Sequence, residues 1–501
     1  MFSNLFGKKS DHPLADIKSV MALLEELPRN DAHKMLMELT EWVESVGDNA
    51  EFKLEHQFAV LRLLDETAQS CVRKLVREYF APQELSKFQE NHLWLILLNW
   101  SHHVANAHFA VFERYCNGDK GAGALKAQLP LLAARTAHAL NGYLKYVSAH
   151  YGPMDSSLWG KVARLYRHAE QQQYLDARVE LYSGATTTVR CELAELLGWY
   201  GCGVGTLSPL SMHLTERIVG QYFGGVTVTA EQSSDSLFCF DLEHPAAPLR
   251  IKAGVRVQPS TRFVSMTAMQ PKLDELLKEL AKNTVPQELN LGGNYPVELV
   301  REAAQYLLDY LVDPPLRRSP RRGIKVSLKV VNGFGRLLEH TDVGLNFNAE
   351  QPLHWEVEDI SASGFRTVIP AQADGIRIGS LLGIQPDGVA HWGAAVVRRL
   401  MRDNANRLHI GAEMLANQVA GVTLGSGRDE AQCALWLMAK SGEHAGEARL
   451  LMKVDAFLAQ RSLQASIGDK KYLLMPVGLD EKGLDYDLAR FRVIEQEVGE
   501  D

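Results

Sequence analysis

The stretch "WEVEDISASGFRTVIP", residues 355–370, decides the fold of the C-terminal half of the chain. Apolar and polar residues alternate on both sides of residues 359–364, and the serines and glycine between them are typical of a tight turn. Similar short runs surround this stretch, among them "GIKVSLKVV" (323–331), "GAAVVRRLMR" (393–402) and "RLHIGAEML" (407–415). Because turn residues separate these runs at short intervals, the pattern predicts a small antiparallel β-barrel over residues 313–415.

The rest of the chain divides into three further segments, which differ in their pattern of apolar residues. Residues 1–205 repeat apolar residues at steps of three and four, which predicts an α-helical array of a kind that usually binds proteins. Residues 206–312 mix β-rich runs with amphipathic helices, and residues 416–501 return to short strands. We therefore predict a multidomain α+β protein: an all-α N-terminal region, a mixed α+β middle segment, a C-terminal antiparallel β-barrel, and after it a second small barrel or an extension of the first.

Composition limits the function. The chain has 501 residues, of which 46% are hydrophobic, and a formal net charge of −8. This charge argues against general binding of DNA or RNA. The six cysteines form no C-x-x-C pair, a pattern typical of a reducing cytoplasm. No signal peptide and no run of about 18 apolar residues is found, so we expect a cytoplasmic protein without a membrane span.

One basic cluster stands out against this acidic background. The segment "DPPLRRSPRR" (313–322) holds four arginines within six residues, namely Arg317, Arg318, Arg321 and Arg322. The intervening Ser–Pro favours an extended or turning backbone, from which the guanidinium groups could surround a compact anion. Arginine binds phosphate bidentately, pairs with the O6/N7 edge of guanine and stacks on a base. A basic interdomain linker and a nucleic-acid tether remain alternative interpretations.

The turn at residues 359–364 offers complementary groups. The Asp359 carboxylate can accept the N1–H and N2–H₂ donors of a guanine, or it can cap the N–H groups of its own turn. Ser361 supplies a small hydroxyl beside backbone N–H groups that can meet a phosphate. Gly364 permits a positive φ, or the close approach of a ligand or of another backbone segment. A ligand with guanines and phosphates would satisfy both the turn and the arginines.

Together, the two motifs resemble those of the PilZ domain. Arg317-x-x-x-Arg321, or Arg318-x-x-x-Arg322 in the alternative register, precedes a first strand, and Asp359-x-Ser361-x-x-Gly364 follows at a later strand turn. PilZ domains are small β-barrels that bind the second messenger cyclic di-GMP. The resemblance covers residues 313–415 and implies that these seven residues hold the ligand. The interval from Arg321 to Asp359 is long for a minimal PilZ barrel, so we expect an inserted loop or hairpin there.

The resemblance implies a bacterial, non-enzymatic receptor without metal or cofactor. It would bind cyclic di-GMP, as one molecule or an intercalated pair, and relay the signal to a protein partner through the helical region. Motility, surface attachment and polysaccharide output are the processes that the family suggests. Two alternatives remain: a helical interaction scaffold whose degenerate barrel binds no nucleotide, and an enzyme with an unrecognised site in residues 206–312. No Walker, G-x-S-x-G or H-E-x-x-H motif supports the enzyme.

Overall fold

The chain divides into two compact units, Met1–Pro315 and Leu316–Asp501, in a computed structural model. The structure describes residues 12–83, 85–252, 257–313, 322–341, 351–361, 363–370, 375–425, 431–438, 446–467 and 470–496. This division does not test the boundaries that we predicted after residues 205, 312 and 415, and they stay predictions.

Helices dominate the first unit. They are α1 (Ile17–Glu26), α2 (Ala32–Gly47), α3 (Leu54–Tyr79), α4 (Lys87–Cys116), α5 (Ala122–Leu125), α6 (Leu129–Ala149), α7 (Ser156–Gln171), α8 (Val189–Gly201), α9 (Pro209–Gln221), α10 (Gln270–Leu280) and α11 (Val297–Val312). Local chemistry sets several of their starts. The Asp31 carboxylate caps α2 through the Lys34 N–H, and Ser86 forms a capping box with Gln89 at the start of α4. The predicted helical array is confirmed.

Short strands are inserted among these helices. A hairpin of β1 (Val179–Tyr182) and β2 (Ala185–Thr187) follows α7. A four-stranded antiparallel sheet in the order β3-β6-β4-β5 contains β3 (Thr227–Thr229), β4 (Ser236–Asp241), β5 (Leu249–Arg250) and β6 (Thr261–Ser265). One continuous hydrophobic core extends from Leu14 to Leu311, so this sheet and α9 to α11 pack together with the N-terminal helices.

The second unit begins with a closed antiparallel barrel of six strands. They are β7 (Arg322–Asn332), β8 (Leu353–Ser361), β9 (Gly364–Ile369), β10 (Leu381–Pro386), β11 (Gly393–Arg402) and β12 (Leu408–Ala416), in the order β10-β11-β12-β9-β8-β7 with β7 returning to β10. Closure pairs the strand edges that an open sheet would expose. The barrel predicted from the turn spacing is confirmed.

The first part of the predicted insertion after β7 is a short helix, and the expected loop or hairpin otherwise stays a prediction. The chain forms a short helix there, α12 (Phe334–Glu339), of which Phe334 and Leu337 are buried. Residues 342–350 lie outside the described part of the chain. Burial of two apolar side chains one turn apart explains why "FGRLLE" is helical rather than extended.

A second closed barrel completes the chain. Its strands are β13 (Val419–Gly425), β14 (Gln432–Leu437), β15 (Glu447–Lys453), β16 (Leu463–Ile467), β17 (Lys470–Lys482) and β18 (Tyr486–Gln496), in the order β13-β14-β15-β18-β17-β16. One hydrophobic cluster joins both barrels, since Leu337 and Trp392 of the first pack with Leu435, Leu451 and Tyr486 of the second. Of our two alternatives for residues 416–501, the second barrel is the right one.

Polar contacts reinforce this junction between the barrels. Arg398 on β11 pairs with Glu413 on β12 (Nε–Oε2 2.8 Å) and donates two hydrogen bonds to Glu481 on β17 (2.8 and 2.5 Å). The Tyr486 hydroxyl donates to the same Glu481 carboxylate (2.7 Å), and Asp485 Oδ2 accepts the backbone N–H of Phe334 (2.6 Å). Because bidentate arginine–carboxylate pairs fix orientation, these contacts hold the two barrels in one arrangement.

No helix within the described part of the chain is long and apolar enough to cross a membrane.

Candidate functional site

Strand pairing brings the start of β7 beside the end of β8. In the Cα register Arg322 lies opposite Ile360, and Gly323 lies opposite Asp359. Adjacent strands are about 4.8 Å apart, so the last arginine of the basic cluster enters the barrel next to the acidic turn. Arg322 and Gly323 are exposed and Asp359 is half-buried. Arg322 and Asp359, 37 positions apart in sequence, therefore lie close together at one end of the barrel.

Three of the seven predicted site residues cannot be placed. Arg317, Arg318 and Arg321 lie outside the described residues. Their part in the site stays a prediction.

A β-bulge decides which way Asp359 faces. Val357 pairs with Thr367, but the next pair across the hairpin is Asp359 with Arg366, so β8 holds one extra residue, Glu358. Val357 and Thr367 are buried inside the barrel. The extra residue shifts the alternation by one, which places Asp359 on the outer face together with Arg366. Without the bulge, Asp359 would continue the inward row of Val357.

Ser361 and Gly364 close the hairpin. The Ser361 hydroxyl donates to the carbonyl oxygen of Gly364 (3.1 Å), and the two residues form the last strand pair before the turn. A Cβ on Gly364 would lie 2.2 Å from the carbonyl oxygen of Ala412 on β12. Gly364 does not have a positive φ. Of our three explanations for this glycine, the close approach of another backbone segment is therefore the one that the fold requires.

Arg366 is a site residue that our sequence reasoning missed. Its Nε lies 3.2 Å from Glu358 Oε2, and its Nη2 lies 2.9 Å from Nδ1 of His409 on β12. It is the cross-strand partner of Asp359, so it adds a guanidinium to the face that carries the acid. The only signal in the sequence is its position two residues after Gly364. That signal becomes informative only when the bulge is known.

The protonation of the neighbouring His409 follows from its contacts. Its Nε2 lies 3.0 Å from Asp403 Oδ2. The pKa of Asp403 is lowered, first by the backbone N–H of Arg407 and further by the side chains of His409 and Arg407, so its carboxylate stays ionised. Nε2 of His409 therefore donates to Asp403, which leaves Nδ1 to accept the hydrogen bond from Arg366. This chain of contacts fixes the orientation of the Arg366 guanidinium.

On its β7 side Asp359 pairs with a glycine, and Oδ1 of its carboxylate is buried. Gly323, its partner there, has no side chain, and a Cβ on it would meet only the Glu358 carbonyl oxygen, 4.0 Å away. Arg322 precedes Gly323 on β7, and Arg366 lies opposite Asp359 on β9. Within the described residues, no group of three His, Cys, Asp or Glu side chains could hold a metal ion.

Comparison with known families gives a separate result. Residues 18–232 match the family model described as "Cyclic-di-GMP receptor FimW, N-terminal domain". No curated protein matches the chain. The match covers somewhat under half of the chain and runs from α1 through β3, all within the first unit. The matched residues contain neither of the two barrel motifs.

Proposed function

We propose that this protein is a cyclic di-GMP receptor and that the first barrel binds the ligand in the manner of a PilZ domain. The observation that carries the proposal is the strand register that sets Arg322 and Gly323 beside Asp359. The similarity of residues 18–232 to a domain of a cyclic di-GMP receptor supports the same ligand independently.

The chemistry of the face fits this ligand. The Asp359 carboxylate would accept the N1–H and N2–H₂ donors of one guanine, which lies over Gly323. Arg322 and Arg366 would pair with the phosphates or with the O6/N7 edge of a guanine. In the PilZ resemblance Arg317, Arg318 and Arg321 complete the enclosure. Each bidentate contact contributes about 1–3 kcal/mol, so a few of them, after the entropy cost of ordering, correspond to about micromolar affinity.

The position of the arginines suggests how the signal is relayed. The boundary between the two compact units falls after Pro315, and three of the four arginines follow it directly in sequence. A dianionic ligand would neutralise mutually repelling guanidinium groups and hold this segment against the barrel, a ligand-dependent change of conformational population. The helical first unit would then present a changed surface to a protein partner. Control of motility, attachment or polysaccharide output belongs to this proposal, which includes no catalytic step.

Calorimetric titration of variants tests the site. Arg321→Ala and Asp359→Ala should each weaken cyclic di-GMP binding by at least about tenfold, because each removes a charged hydrogen-bonding partner. Asp387→Ala is the matched control: this aspartate is exposed on the same barrel, after β10, and should leave the affinity unchanged. Unchanged affinity in both site variants would overturn the assignment.

A specific observation favours a second candidate, a helical interaction scaffold whose barrel binds no nucleotide. Ser361 and Gly364 both have roles in closing the hairpin and in packing it against β12, so a barrel that binds nothing would still need them. Affinity capture of partners with and without cyclic di-GMP separates the two candidates. A receptor changes its set of partners or their amounts, whereas a scaffold captures the same proteins under both conditions.

A further inference from the structure

The first unit contains a second polar site, far in sequence from the barrel motifs. A cavity of about 500 Å³ lies among α3, α4, α6, α8 and α9. This volume is within the range of small-molecule sites, about 300–1,000 Å³. Three glutamates line it, Glu192 and Glu195 on α8 and Glu216 on α9. Asp65 on α3 also lines it and is paired with Arg135 (3.1 Å), and the three glutamate carboxylates are costly to bury unless each has a partner.

Two of the three carboxylates have cationic partners within the protein. Glu192 accepts from His138 Nδ1 (2.9 Å) and from the Thr187 hydroxyl (2.8 Å). Glu216 accepts from Lys145 Nζ (2.8 Å). Lys145 also donates to Nδ1 of His213, whose Nε2 donates to the Leu291 carbonyl oxygen, so the histidine is neutral and the lysine carries the charge. Both pairs are complete without a ligand.

The third carboxylate has no such partner. Among the described residues Glu195 forms no ion pair, and the one hydrogen bond it accepts is a long one from Asn141 Nδ2 (3.4 Å). Asn141 is only 4% exposed, and its Oδ1 accepts no hydrogen bond from any residue that the structure describes. Buried polar atoms nearly always have partners. The Glu195 carboxyl group and the Asn141 amide oxygen therefore lack hydrogen-bonding partners that a ligand could supply.

The open side of the cavity carries opposite charge. Arg73 and Arg77 line it from α3, four residues apart and hence on the same face of the helix, and both are exposed. On α9, Arg217 donates from Nε to the Asn290 carbonyl oxygen (2.8 Å). The cavity thus has a carboxylate and an amide oxygen at its buried end and guanidinium groups at its mouth.

We propose that this cavity binds a small zwitterion whose planar cationic head, a guanidinium or an amidinium, pairs with Glu195 and Asn141 and whose anionic group meets Arg73 and Arg77. A guanidinium suits the buried end better than an ammonium. Its five N–H donors are arranged in a planar fork that can satisfy both oxygens of a carboxylate and a neighbouring amide oxygen at once. This inference is independent of cyclic di-GMP binding at the barrel.

The electrostatics of the cavity agree with a cationic head. Burial, together with Glu192 and Glu216, raises the pKa of Glu195 to about 8, against the opposing effects of His138 and Arg217. Glu195 therefore retains its proton in the empty cavity at neutral pH, and a bound cation would displace it. Affinity for such a ligand should consequently increase by about tenfold from pH 6.5 to pH 8.

Calorimetric titration of the full-length protein with four probes tests the proposal. L-Arginine carries both groups, agmatine lacks the carboxylate, succinate lacks the cationic head, and guanosine monophosphate offers a neutral donor edge with a phosphate. We expect saturable binding of L-arginine at about 1 mM or tighter, about tenfold weaker binding of agmatine, and no binding of succinate; any guanosine monophosphate binding should be lost in Asp359→Ala, because it would take place at the barrel. No saturation with either cation, or nucleotide binding that persists in Asp359→Ala and is lost in Glu195→Gln, would overturn the proposal.

Variants assign the binding to the cavity. Glu195→Gln keeps the shape of the side chain and should weaken L-arginine and agmatine binding by at least about tenfold, whereas Glu41→Gln, an exposed glutamate on α2, should have no effect. The double variant Arg73→Ala with Arg77→Ala should weaken L-arginine and leave agmatine unchanged. Equal L-arginine affinity in Glu195→Gln and in the unaltered protein would contradict the assignment, provided that melting curves show both are folded.

Discussion

At the residue scale, Gly364 is a motif residue that the packing of the barrel requires even without a ligand. The Ala412 carbonyl oxygen on β12 occupies the space of a Cβ at this position. Gly364→Ala should therefore lower the free energy of unfolding by about 1–3 kcal/mol, because the backbone of β12 must move. Urea denaturation measures this effect.

Gly335 in α12 is the matched control for that substitution. A Cβ there meets no atom within 4 Å, and alanine favours a helix over glycine by about 0.5–1 kcal/mol. Gly335→Ala should therefore leave stability unchanged or slightly raise it. Equal effects of the two substitutions would contradict the close approach of β12.

Glu195 gives a pH-dependent prediction at the same scale. Its pKa is raised from 4.5 to about 8 in the folded protein, so the folded state holds the proton more tightly than the unfolded chain. The free energy of unfolding should fall as pH rises from about 4.5 to about 8, by about 1.4 kcal/mol for each unit of pKa difference at most. Glu195→Gln should remove this loss and be the more stable protein at pH 8.5.

Urea denaturation at pH 6 and pH 8.5 compares Glu195→Gln with the unaltered chain, with Glu41→Gln as the exposed control. If the difference in unfolding free energy between Glu195→Gln and the unaltered chain does not grow with pH, the folded state does not disfavour the ionised Glu195 carboxylate.

At the scale of elements, the periodicity of apolar residues predicted the helices and most strands. It could not predict irregularities that involve a single residue. The three- and four-residue apolar spacing identifies helices such as α2 and α7 because one buried face repeats over several turns. The bulge at Glu358 is one extra residue, so it produces no repeating pattern in the sequence. It reverses the face of Asp359 and creates its pairing with Arg366, which only strand register shows. A hairpin as short as β1–β2 likewise carries too few residues for a pattern.

The junction of the barrels supplies the prediction at this scale. Arg398→Ala should lower the free energy of unfolding by about 1–2 kcal/mol, because both Glu413 and Glu481 lose their cation. Solvent limits the effect, since the Arg398 side chain is 39% exposed. Arg407→Ala serves as the control: this arginine is 60% exposed beside Asp403, and its loss should cost less than about 0.5 kcal/mol. Thermal unfolding that ranks the two variants equally would contradict the role of Arg398.

At the scale of the whole molecule, composition and texture predicted the order of the parts, while the core showed how they combine. The pattern of apolar residues changes near residue 205, yet the residues before and after this point pack into one hydrophobic core. The apolar pattern of a helix or strand does not show which other element its buried face packs against. For the candidate site, the sequence identified the acid, the serine, the glycine and the arginine that begins β7. It could not supply Arg366, nor decide among the three explanations for Gly364.

The acidic chain with a local basic cluster leads to a prediction about salt. If a dianion is held by several arginines, its affinity depends on screened electrostatic attraction. Raising the NaCl concentration from about 50 mM to about 500 mM should weaken cyclic di-GMP binding by about tenfold, and the loss should be smaller in Arg321→Ala, which has one guanidinium fewer. Titration at three salt concentrations measures the slope. An affinity independent of salt would argue against the arginine enclosure.

The central claim is that the full-length protein binds cyclic di-GMP. Isothermal titration of the purified full-length protein with cyclic di-GMP, with GTP and cyclic GMP as controls, tests it most directly. The proposal predicts saturable binding of cyclic di-GMP alone, at about micromolar affinity or tighter, which corresponds to about −8 kcal/mol. No binding heat and no thermal shift with cyclic di-GMP would contradict it and leave the helical scaffold as the leading interpretation.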